Sequence, residues 1–201
     1  PRIAPDSRSG GMALSSDRLS HIVEGLWLSG VEAVTNHSLL TSARISHLLG
    51  VVEPEFNYAS YSRPFEFPIR TLRLDAEDSL RQDLTQHFTK AARFIHEARA
   101  ANGQVLVHCL MGISRSVTIV CAYLIALTGL SVDDVIAAVK TRRILADPNP
   151  NFLRQLHRFG QSAQAGQLRE QLLRDWPETQ QMVERDRREL VSLLKLVKRR
   201  K

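Results

Sequence analysis

Residues 105–120 read VLVHCLMGISRSVTIV, and this stretch decides the fold. An apolar run ends in a His-Cys pair, a short loop with a central glycine follows, and a second apolar run begins after an Arg-Ser pair. The first run is typical of a strand that is buried on both faces of a sheet. The second run places its apolar residues on one side of a helix. A buried strand, a tight loop and a helix together predict an α/β layered domain.

The surrounding sequence predicts a mostly parallel central sheet flanked by helices, with an extra helix at the C-terminus. Further strands are predicted in residues 21–30, 45–52 and 69–75. Helices are predicted in residues 82–101, 116–127, 131 to about 142, 151 to about 164, and from there to the C-terminus, with breaks at Ala165-Gly166 and Trp176-Pro177. The break assignments depend on glycine and proline, which interrupt regular structure.

The composition and the charge of the chain limit the classes of protein to which it can belong. Of the 201 residues, 43% are apolar and 24% are charged, a mixture typical of a soluble globular domain. The longest apolar run, residues 117–130, is shorter than the roughly 20 residues that cross a bilayer, so we expect no transmembrane segment. Residues 185–201 hold eight basic and two acidic side chains, which accounts for the whole net charge of +6. A neutral body with a basic tail does not predict a nucleic-acid partner.

The loop after the strand has the features of an oxyanion site. Backbone N–H groups of a tight loop at a helix N-terminus bind anions, and Gly112 permits a turn that a Cβ would obstruct. The planar guanidinium of Arg115 matches two phosphate oxygens. The predicted phosphate-binding residues are Leu110, Met111, Gly112, Ile113, Ser114 and Arg115.

Cys109 lies at the floor of this loop. The dipoles and charge that bind an anion also favour a thiolate, so Cys109 is predicted to attack the phosphorus of a bound monoester. An acid must protonate the leaving oxygen, and Ser116 is placed to donate a hydrogen bond to the thiolate when it leaves. A lone buried cysteine is usually a small core residue. The combination His-Cys-x-x-Gly-x-x-Arg-Ser in a strand, loop and helix favours catalysis instead.

This motif resembles the signature of the cysteine-based protein tyrosine phosphatase superfamily, and GISRS resembles its atypical dual-specificity branch. The likeness extends over roughly residues 21–159. EGLWLSG (24–30) resembles the opening strand, residues 72–109 resemble the general-acid loop, long helix and central strand, and DPNPNFLRQL (147–156) resembles the segment that braces the phosphate loop. The JNK-stimulatory subgroup is the nearest likeness. The resemblance implies a protein-tyrosine-phosphatase-like fold.

The resemblance also implies roles for individual residues. Its spacing selects Asp78 as the general acid, with Asp75 and Glu77 as nearby alternatives. Where the family has Asn-x-Gly-Phe, this chain has Asn149-Pro150-Asn151-Phe152, and an asparagine tolerates the positive φ expected at residue 151. The implied catalytic residues are Cys109, Arg115, Asp78 and Ser116, and the implied supporting residues are His108 and Asn149.

The resulting function hypothesis is hydrolysis of phosphotyrosine and phosphoserine or phosphothreonine on proteins through a cysteinyl-phosphate. Apolar variable positions in the loop favour singly phosphorylated side chains over polyphosphorylated ligands, which call for extra basic residues there. The alternative is a catalytically weak phosphoprotein-binding scaffold that uses the same pocket. We expect phosphoprotein partners, with MAP-kinase pathway components among the candidates, and a role in signalling.

The predicted organisation is a disordered or expression-derived N-terminus (1–16), a dual-specificity phosphatase catalytic domain (17–164) and a basic helical extension (165–201). The N-terminus lacks the apolar segment of a signal peptide, and Ala13 after Met12 does not fit a myristoylation site. Two cysteines without Cys-x-x-Cys spacing favour a reducing compartment, so we expect a cytoplasmic protein, with the nucleus as a second location. Neither a metal nor a cofactor is expected.

The C-terminal helix has an apolar stripe, Leu190, Leu194 and Val197, beside basic residues. Packing on its own domain is the first interpretation. Docking of an acidic partner, nuclear import and binding to an anionic membrane stay open. Cys121 is interpreted as a core residue, with a regulatory disulfide to Cys109 as the alternative.

Overall fold

A computed structural model describes residues 18–57 and 68–198. Five strands form one sheet in the order β1-β2-β5-β3-β4. β1 runs antiparallel to β2, and the other neighbouring pairs are parallel. The mostly parallel sheet predicted from the sequence is therefore confirmed. The strands are β1 (Ser20–Val23), β2 (Leu26–Gly30), β3 (Ile45–Val52), β4 (Arg70–Asp75) and β5 (Gln104–Cys109).

Helices cover both faces of this sheet. A 3-10 turn at Pro177–Thr179 joins the last two helices. The helices are α1 (Val31–Thr35), α2 (His37–Ser42), α3 (Thr85–Ala100), α4 (Arg115–Thr128), α5 (Val132–Arg142), α6 (Pro150–Gln161), α7 (Ala163–Asp175) and α8 (Gln180–Lys198). None of the helices in the described part of the chain is long and apolar enough to cross a bilayer.

The central strand β5 separates two apolar clusters. Val105, Val107 and Cys109 belong to the larger cluster, which includes α3 and α4, whereas Leu106 belongs to a smaller cluster with α1 and α2. This division follows from the strand geometry, because successive side chains point to opposite faces. Cys109 therefore faces the same side as α4, the helix that follows it.

The helix α4 is the centre of the larger cluster. Each of its residues is buried, and it contacts α3, α5, α6, α7 and α8. It ends at Gly129, whose φ of +65° is the left-handed conformation that commonly closes a helix. Because α4 is held on all sides, its first residues, Arg115 and Ser116, have fixed positions at the edge of the sheet.

The helices after α5 differ from the sequence prediction at one boundary. Ala165 and Gly166 were predicted to separate two helices, but both lie inside α7, and the chain bends at Ser162 instead. A single glycine in a helix costs only about 1 kcal/mol relative to alanine, so packing outweighs it. The predicted interruption at Trp176-Pro177 is confirmed. The boundary predicted between residues 164 and 165 falls within α7. The division of the chain into a catalytic domain and a C-terminal extension stays a prediction.

A buried ion pair fastens α8 to the rest of the fold. Both oxygens of the fully buried Asp186 accept hydrogen bonds from Arg99 of α3, at 2.7 and 2.9 Å. Arg99 also donates to the Tyr123 hydroxyl of α4 at 2.9 Å and to the Glu24 carbonyl at 2.9 Å. Burial raises the pKa of Asp186, and the charge of Arg99 opposes that rise. The ion pair joins three helices and the turn between β1 and β2.

The same interface buries a histidine. His96 of α3 lies 3.1 Å from the Tyr123 hydroxyl and 2.9 Å from the Thr179 hydroxyl. Burial lowers the pKa of His96 to about 4, with the charge of Arg99 adding to the effect, so the ring is neutral at pH 7. Val183, Leu190 and Leu193 of α8 are buried in the large cluster. The described part of the C-terminal helix therefore packs on its own domain, as first interpreted.

Candidate active site

The phosphate loop, residues 109–115, begins at the carboxyl end of β5 and ends in the first residue of α4. β2 and β3 flank β5, and Gly30 pairs with Cys109 across β2 and β5. The first amide of α1, at Val31, donates to the Leu110 carbonyl at 3.0 Å. The loop therefore lies where ligands bind in open α/β sheets, beyond the carboxyl ends of the strands.

Gly112 is required by the shape of the loop. Its φ is +67°, and a Cβ built there would lie 2.4 Å from the carbonyl group of Ser29 in β2 and 2.5 Å from Nη2 of Arg143. Contacts this short do not occur for real side chains, so any larger residue must displace the backbone. The role that the sequence predicts for Gly112 in the turn is consistent with this geometry.

The Cys109 sulfur is buried, with 1% exposure, and receives two hydrogen bonds. The Gly112 amide and the Ser116 hydroxyl each donate to Sγ at 3.2 Å. A cysteine sulfur in an apolar core has no such donors beside it. These contacts separate Cys109 from the ordinary buried cysteine considered in the sequence.

Arg143, at the end of α5, holds the loop from behind. Its Nε donates to the Gly112 carbonyl at 2.6 Å, and its Nη2 donates to the Met111 carbonyl at 3.0 Å. Because a trans peptide points its C=O and the following N–H in opposite directions, the amides of Gly112 and Ile113 turn toward the pocket. Burial lowers the pKa of Arg143, and the nearby Cys109 opposes that shift.

No role for Arg143 follows from the sequence alone. It lies 31 positions from Gly112 and follows another arginine, so Arg142-Arg143 has the pattern of a basic helix end. The two differ in the structure, because Arg142 pairs with Glu189 at the surface whereas Arg143 has 4% exposure. The sequence carries no signal that separates the two.

Arg115 is positioned by groups that follow the ends of two strands, β3 and β4. Its Nη1 donates to a carboxylate oxygen of Glu53, after β3, at 2.6 Å and to the carbonyl of Ala76, after β4, at 3.1 Å. Its buried Nε makes no hydrogen bond to the described residues and lies 3.9 Å from the Asp78 carboxylate. This N–H can donate a hydrogen bond to an oxyanion in the loop. Glu53 is a second residue that the sequence analysis missed.

Asp78 follows β4 by three residues and lies beside the phosphate loop. Its Oδ1 accepts hydrogen bonds from the Ser114 hydroxyl at 2.8 Å and from Nδ2 of Asn149 at 2.7 Å. The backbone N–H of Asn149 donates to the same Ser114 hydroxyl at 3.1 Å. Asp75, the alternative acid, instead pairs with Arg73 at 2.6 Å and is 59% exposed. The geometry thus brings Asp78 to the loop, and Asp75 points elsewhere.

Asn149 has a further role that explains the departure from the family pattern. Its side chain caps α6 by accepting from the amides of Asn151 and Phe152, both at 3.0 Å, and Pro150 occupies the first turn. Asn151 is helical, and its φ is not positive. The expectation of a positive φ at residue 151 is wrong, because proline at the first helical position favours a direct helix start.

Two buried groups near Cys109 stay uncharged. Burial lowers the pKa of His108 to about 4, and its Nδ1 lies 3.4 Å from the Cys109 carbonyl, which can only accept. Burial raises the pKa of the Cys121 thiol to about 12, so it is inert at neutral pH. Both cysteines are free thiols in the structure, and Cys121 lies in the core as interpreted.

The remaining loop residues line the mouth of the pocket. Ser114 is buried, Leu110 and Ile113 are partly buried, and Met111 is 50% exposed. A buried, hydrogen-bonded cysteine beneath inward amides, with an arginine at the helix start and a carboxylate across the loop, defines a cysteine-dependent phosphatase.

Comparison with known proteins supports this class. The family described as "Dual specificity phosphatase, catalytic domain" matches residues 26–162. Mouse dual specificity protein phosphatase 15 is 34% identical over 181 residues, which cover 90% of this chain and 72% of that protein. Human dual specificity protein phosphatase 22 is 35% identical over 141 residues, which cover 70% and 73%. This chain belongs to the dual specificity phosphatase family.

Solved structures agree with the fold. The crystal structure of DUSP15 matches with a TM-score of 0.70 and 34% identity, over 78% of this chain and 95% of that one. The resemblance to the atypical dual-specificity branch is confirmed, and a member of the JNK-stimulatory subgroup is among the matches. The protein is a phosphatase that acts on phosphoproteins, and a cysteine-based mechanism is general for this family.

Proposed function

We propose that Cys109, Arg115, Asp78 and Ser116 catalyse the hydrolysis of phosphotyrosine and phosphoserine or phosphothreonine on proteins. The observation that carries this proposal is the buried Cys109 sulfur, which accepts hydrogen bonds from Gly112 and Ser116 beneath the phosphate loop. The loop amides and Arg115 bind the three non-bridging phosphate oxygens. That arrangement holds phosphorus above the nucleophile.

In the first step, Sγ of Cys109 attacks phosphorus as the bond to the leaving oxygen breaks. Asp78 donates its proton to that oxygen, so a phenol or alcohol leaves rather than its anion. Such acid assistance is worth about 10² to 10⁴ in rate. The hydrogen bonds from Ser114 and Asn149 hold the Asp78 carboxyl group at the edge of the loop.

In the second step, water attacks the cysteinyl-phosphate and the bond between sulfur and phosphorus breaks. Asp78, now ionised, accepts a proton from the attacking water. The Ser116 hydroxyl, 3.2 Å from Sγ, donates a hydrogen bond to the thiolate as it leaves. His108 is neutral and adds no positive charge beneath the loop. The loop amides, Arg115 and Arg143 therefore stabilise the thiolate of Cys109.

Hydrolysis of an aryl phosphate tests the catalytic roles. Cys109→Ser should abolish turnover while inorganic phosphate still binds the loop. A phosphoprotein-binding scaffold needs no nucleophile, so equal residual activity in wild type and Cys109→Ser would favour that alternative instead. Thermal unfolding of both proteins serves as the control for folding.

The choice of acid has its own test. Asp78→Ala should remove the basic limb of the pH profile of kcat/KM, because the acid must be protonated to act. The loss should be larger for phenyl phosphate than for 4-nitrophenyl phosphate, whose leaving group needs less assistance. Asp75→Ala is the matched control and should keep both limbs. The reverse pattern would assign the acid to Asp75.

We propose singly phosphorylated proteins as substrates, with MAP-kinase pathway components among them. The absence of basic side chains among the variable loop positions, Leu110, Met111, Ile113 and Ser114, supports single phosphorylation. We also propose a cytoplasmic location, with the nucleus as a second one, and the support is the pair of cysteines without Cys-x-x-Cys spacing, which favours a reducing compartment. Phosphopeptides from activation segments of kinases should be hydrolysed faster than inositol phosphates. A preference for the inositol phosphates would contradict the proposal.

We propose that the basic C-terminus binds an acidic partner or directs nuclear import. Arg185 pairs with Glu24 at 2.5 Å and Arg187 donates to the Thr128 carbonyl at 3.2 Å, so these charges serve the domain itself. Arg188 and Lys195 are exposed. Deleting residues 198–201 leaves Asp186 and the buried leucines in place. Unchanged localisation and unchanged affinity for an acidic peptide would contradict both roles.

A further inference from the structure

The described residues, 18–57 and 68–198, leave four large apolar side chains exposed by half or more. Leu80 is 64% exposed, Ile144 60%, Met111 50% and Leu196 50%. Single exposed apolar side chains are ordinary. Here, however, Leu80, Met111 and Ile144 belong to the three loops that build the active site, and only Leu196 lies elsewhere, on α8. We name the first three the apolar rim.

Leu80 lies beside the general acid. It follows Asp78 by two residues, which limits the separation of their Cα atoms to roughly 7 Å. The segment is held in place, because the Gln82 carbonyl accepts hydrogen bonds from Asn151 and Gln155, both at 2.8 Å. Leu80 is therefore exposed on an anchored loop, and its Cα lies within roughly 7 Å of the Cα of Asp78.

Met111 and Ile144 lie together on the other loops. Met111 is in the phosphate loop, and its carbonyl accepts from Arg143, the residue before Ile144. Three residues after Ile144, the Asp147 amide donates to the Ile113 carbonyl at 2.8 Å. The loop that contains Ile144 is thus bonded to the phosphate loop on both sides of that residue.

The order of the strands separates the two parts of the rim. Leu80 follows β4, which lies beyond β3 from the phosphate loop. Arg143 bonds at 3.3 Å to Ser20 of β1, which lies beyond β2 on the opposite side. Ile144 and Leu80 therefore flank the phosphate loop on opposite sides. An extended peptide that runs along the direction from Leu80 to Ile144, with its phosphoresidue in the pocket, crosses both.

We propose that the apolar rim binds apolar side chains on either side of the phosphoresidue in protein substrates. This inference rests on the proposed function of the phosphate loop. An extended strand advances about 3.3 Å per residue, so Leu80 is reached by a side chain about two residues from the phosphoresidue. Exposed apolar groups next to a reactive pocket gain free energy when a partner covers them, which favours substrates with leucine, isoleucine or methionine at those positions.

Phosphotyrosine peptides with leucine on one side only, and serine elsewhere, test the rim. Leu80→Ser should lower kcat/KM by about 3- to 10-fold for the peptides whose leucine lies on one side of the phosphotyrosine. Ile144→Ser should lower kcat/KM by a similar factor for the peptides whose leucine lies on the opposite side. Leu196→Ser is the matched control, because Leu196 is also half exposed but lies on α8, and it should change neither. All three variants should hydrolyse 4-nitrophenyl phosphate within about twofold of wild type.

The outcomes separate this proposal from the one beneath it. If either substitution affected all peptides equally, or affected none, the proposal of the apolar rim would be overturned. Faster hydrolysis of peptides with acidic flanking residues would also overturn it. The proposed function would still hold as long as the aryl phosphate was hydrolysed. Failure of the wild-type protein to hydrolyse 4-nitrophenyl phosphate would overturn the proposed function and the rim together.

Discussion

Substitution of Asp186 tests whether α8 is an integral part of the phosphatase fold. Asp186→Ala removes the acceptor of two Arg99 hydrogen bonds and leaves a guanidinium with 5% exposure without its carboxylate. Breaking a buried ion pair by removing one partner costs about 3 to 5 kcal/mol. That is a large part of the roughly 5 to 15 kcal/mol by which domains are stable. For a chain of this size, we expect Tm to fall by roughly 6 to 20 °C.

Urea unfolding followed by tryptophan fluorescence measures this loss. Glu189→Gln is the matched control, since Glu189 lies on the same helix but pairs with Arg142 in a partly exposed ion pair at 2.9 Å. Exposed pairs contribute about 0 to 1 kcal/mol. The double substitution Arg99→Met with Asp186→Leu should lose less than Asp186→Ala, because it removes both charges. A loss for Asp186→Ala no larger than for Glu189→Gln would refute the reasoning.

Three further predictions concern the loop and the core. Arg143→Lys keeps the charge but not the planar contact with two carbonyls, so kcat/KM and the affinity for inorganic phosphate should both fall about 10- to 100-fold, whereas Arg142→Lys should change neither by more than twofold. Gly112→Ala should lower the free energy of unfolding by about 2 to 5 kcal/mol. At Gly166 an added Cβ would meet no atom within 4 Å, so Gly166→Ala should raise the free energy of unfolding by about 0.5 to 1 kcal/mol. Equal effects of the two substitutions would contradict the geometry. Because burial lowers the pKa of His96 to about 4, its ring binds more protons in the unfolded chain between pH 6.5 and 4, and His96 should account for about 3 kcal/mol of the stability lost as the pH drops through that window. His108, whose pKa is lowered to the same value, adds a loss of its own. His96→Gln should therefore make this pH dependence shallower in urea titrations without abolishing it, and an unchanged slope would contradict the reasoning.

The sequence predicted most of the local structure around the site. The motif from β5 to α4 combines a buried run, a glycine and a helix start, and each is a local pattern. The same holds for α3, which ends at Ala100 and is followed by a left-handed residue, Asn102, with φ of +57°. Patterns within about 20 residues were sufficient to place Cys109 and Arg115 together.

The sequence could not supply the contacts between distant segments. Glu53 is 62 positions from Arg115, and Arg143 is 31 positions from Gly112. Nothing in the sequence distinguishes either residue from other charged residues. Only the fold shows that Glu53 is half-buried and that Arg143 is buried. Asp186 is similar, because it lies in a basic stretch whose pattern does not show which acidic residue is buried. The structure makes it the buried partner of Arg99.

Trapping of the phosphoenzyme tests the central claim most directly. Ser116→Ala should slow the breakdown of the cysteinyl-phosphate, so acid quenching after a pulse of 4-nitrophenyl phosphate should leave one phosphoryl group on the protein. Peptide mass spectrometry should locate it on Cys109, and the double variant Ser116→Ala with Cys109→Ser should carry none. A phosphoryl group on any other residue, or none in Ser116→Ala while turnover continues, would contradict the assignment of Cys109 as the nucleophile.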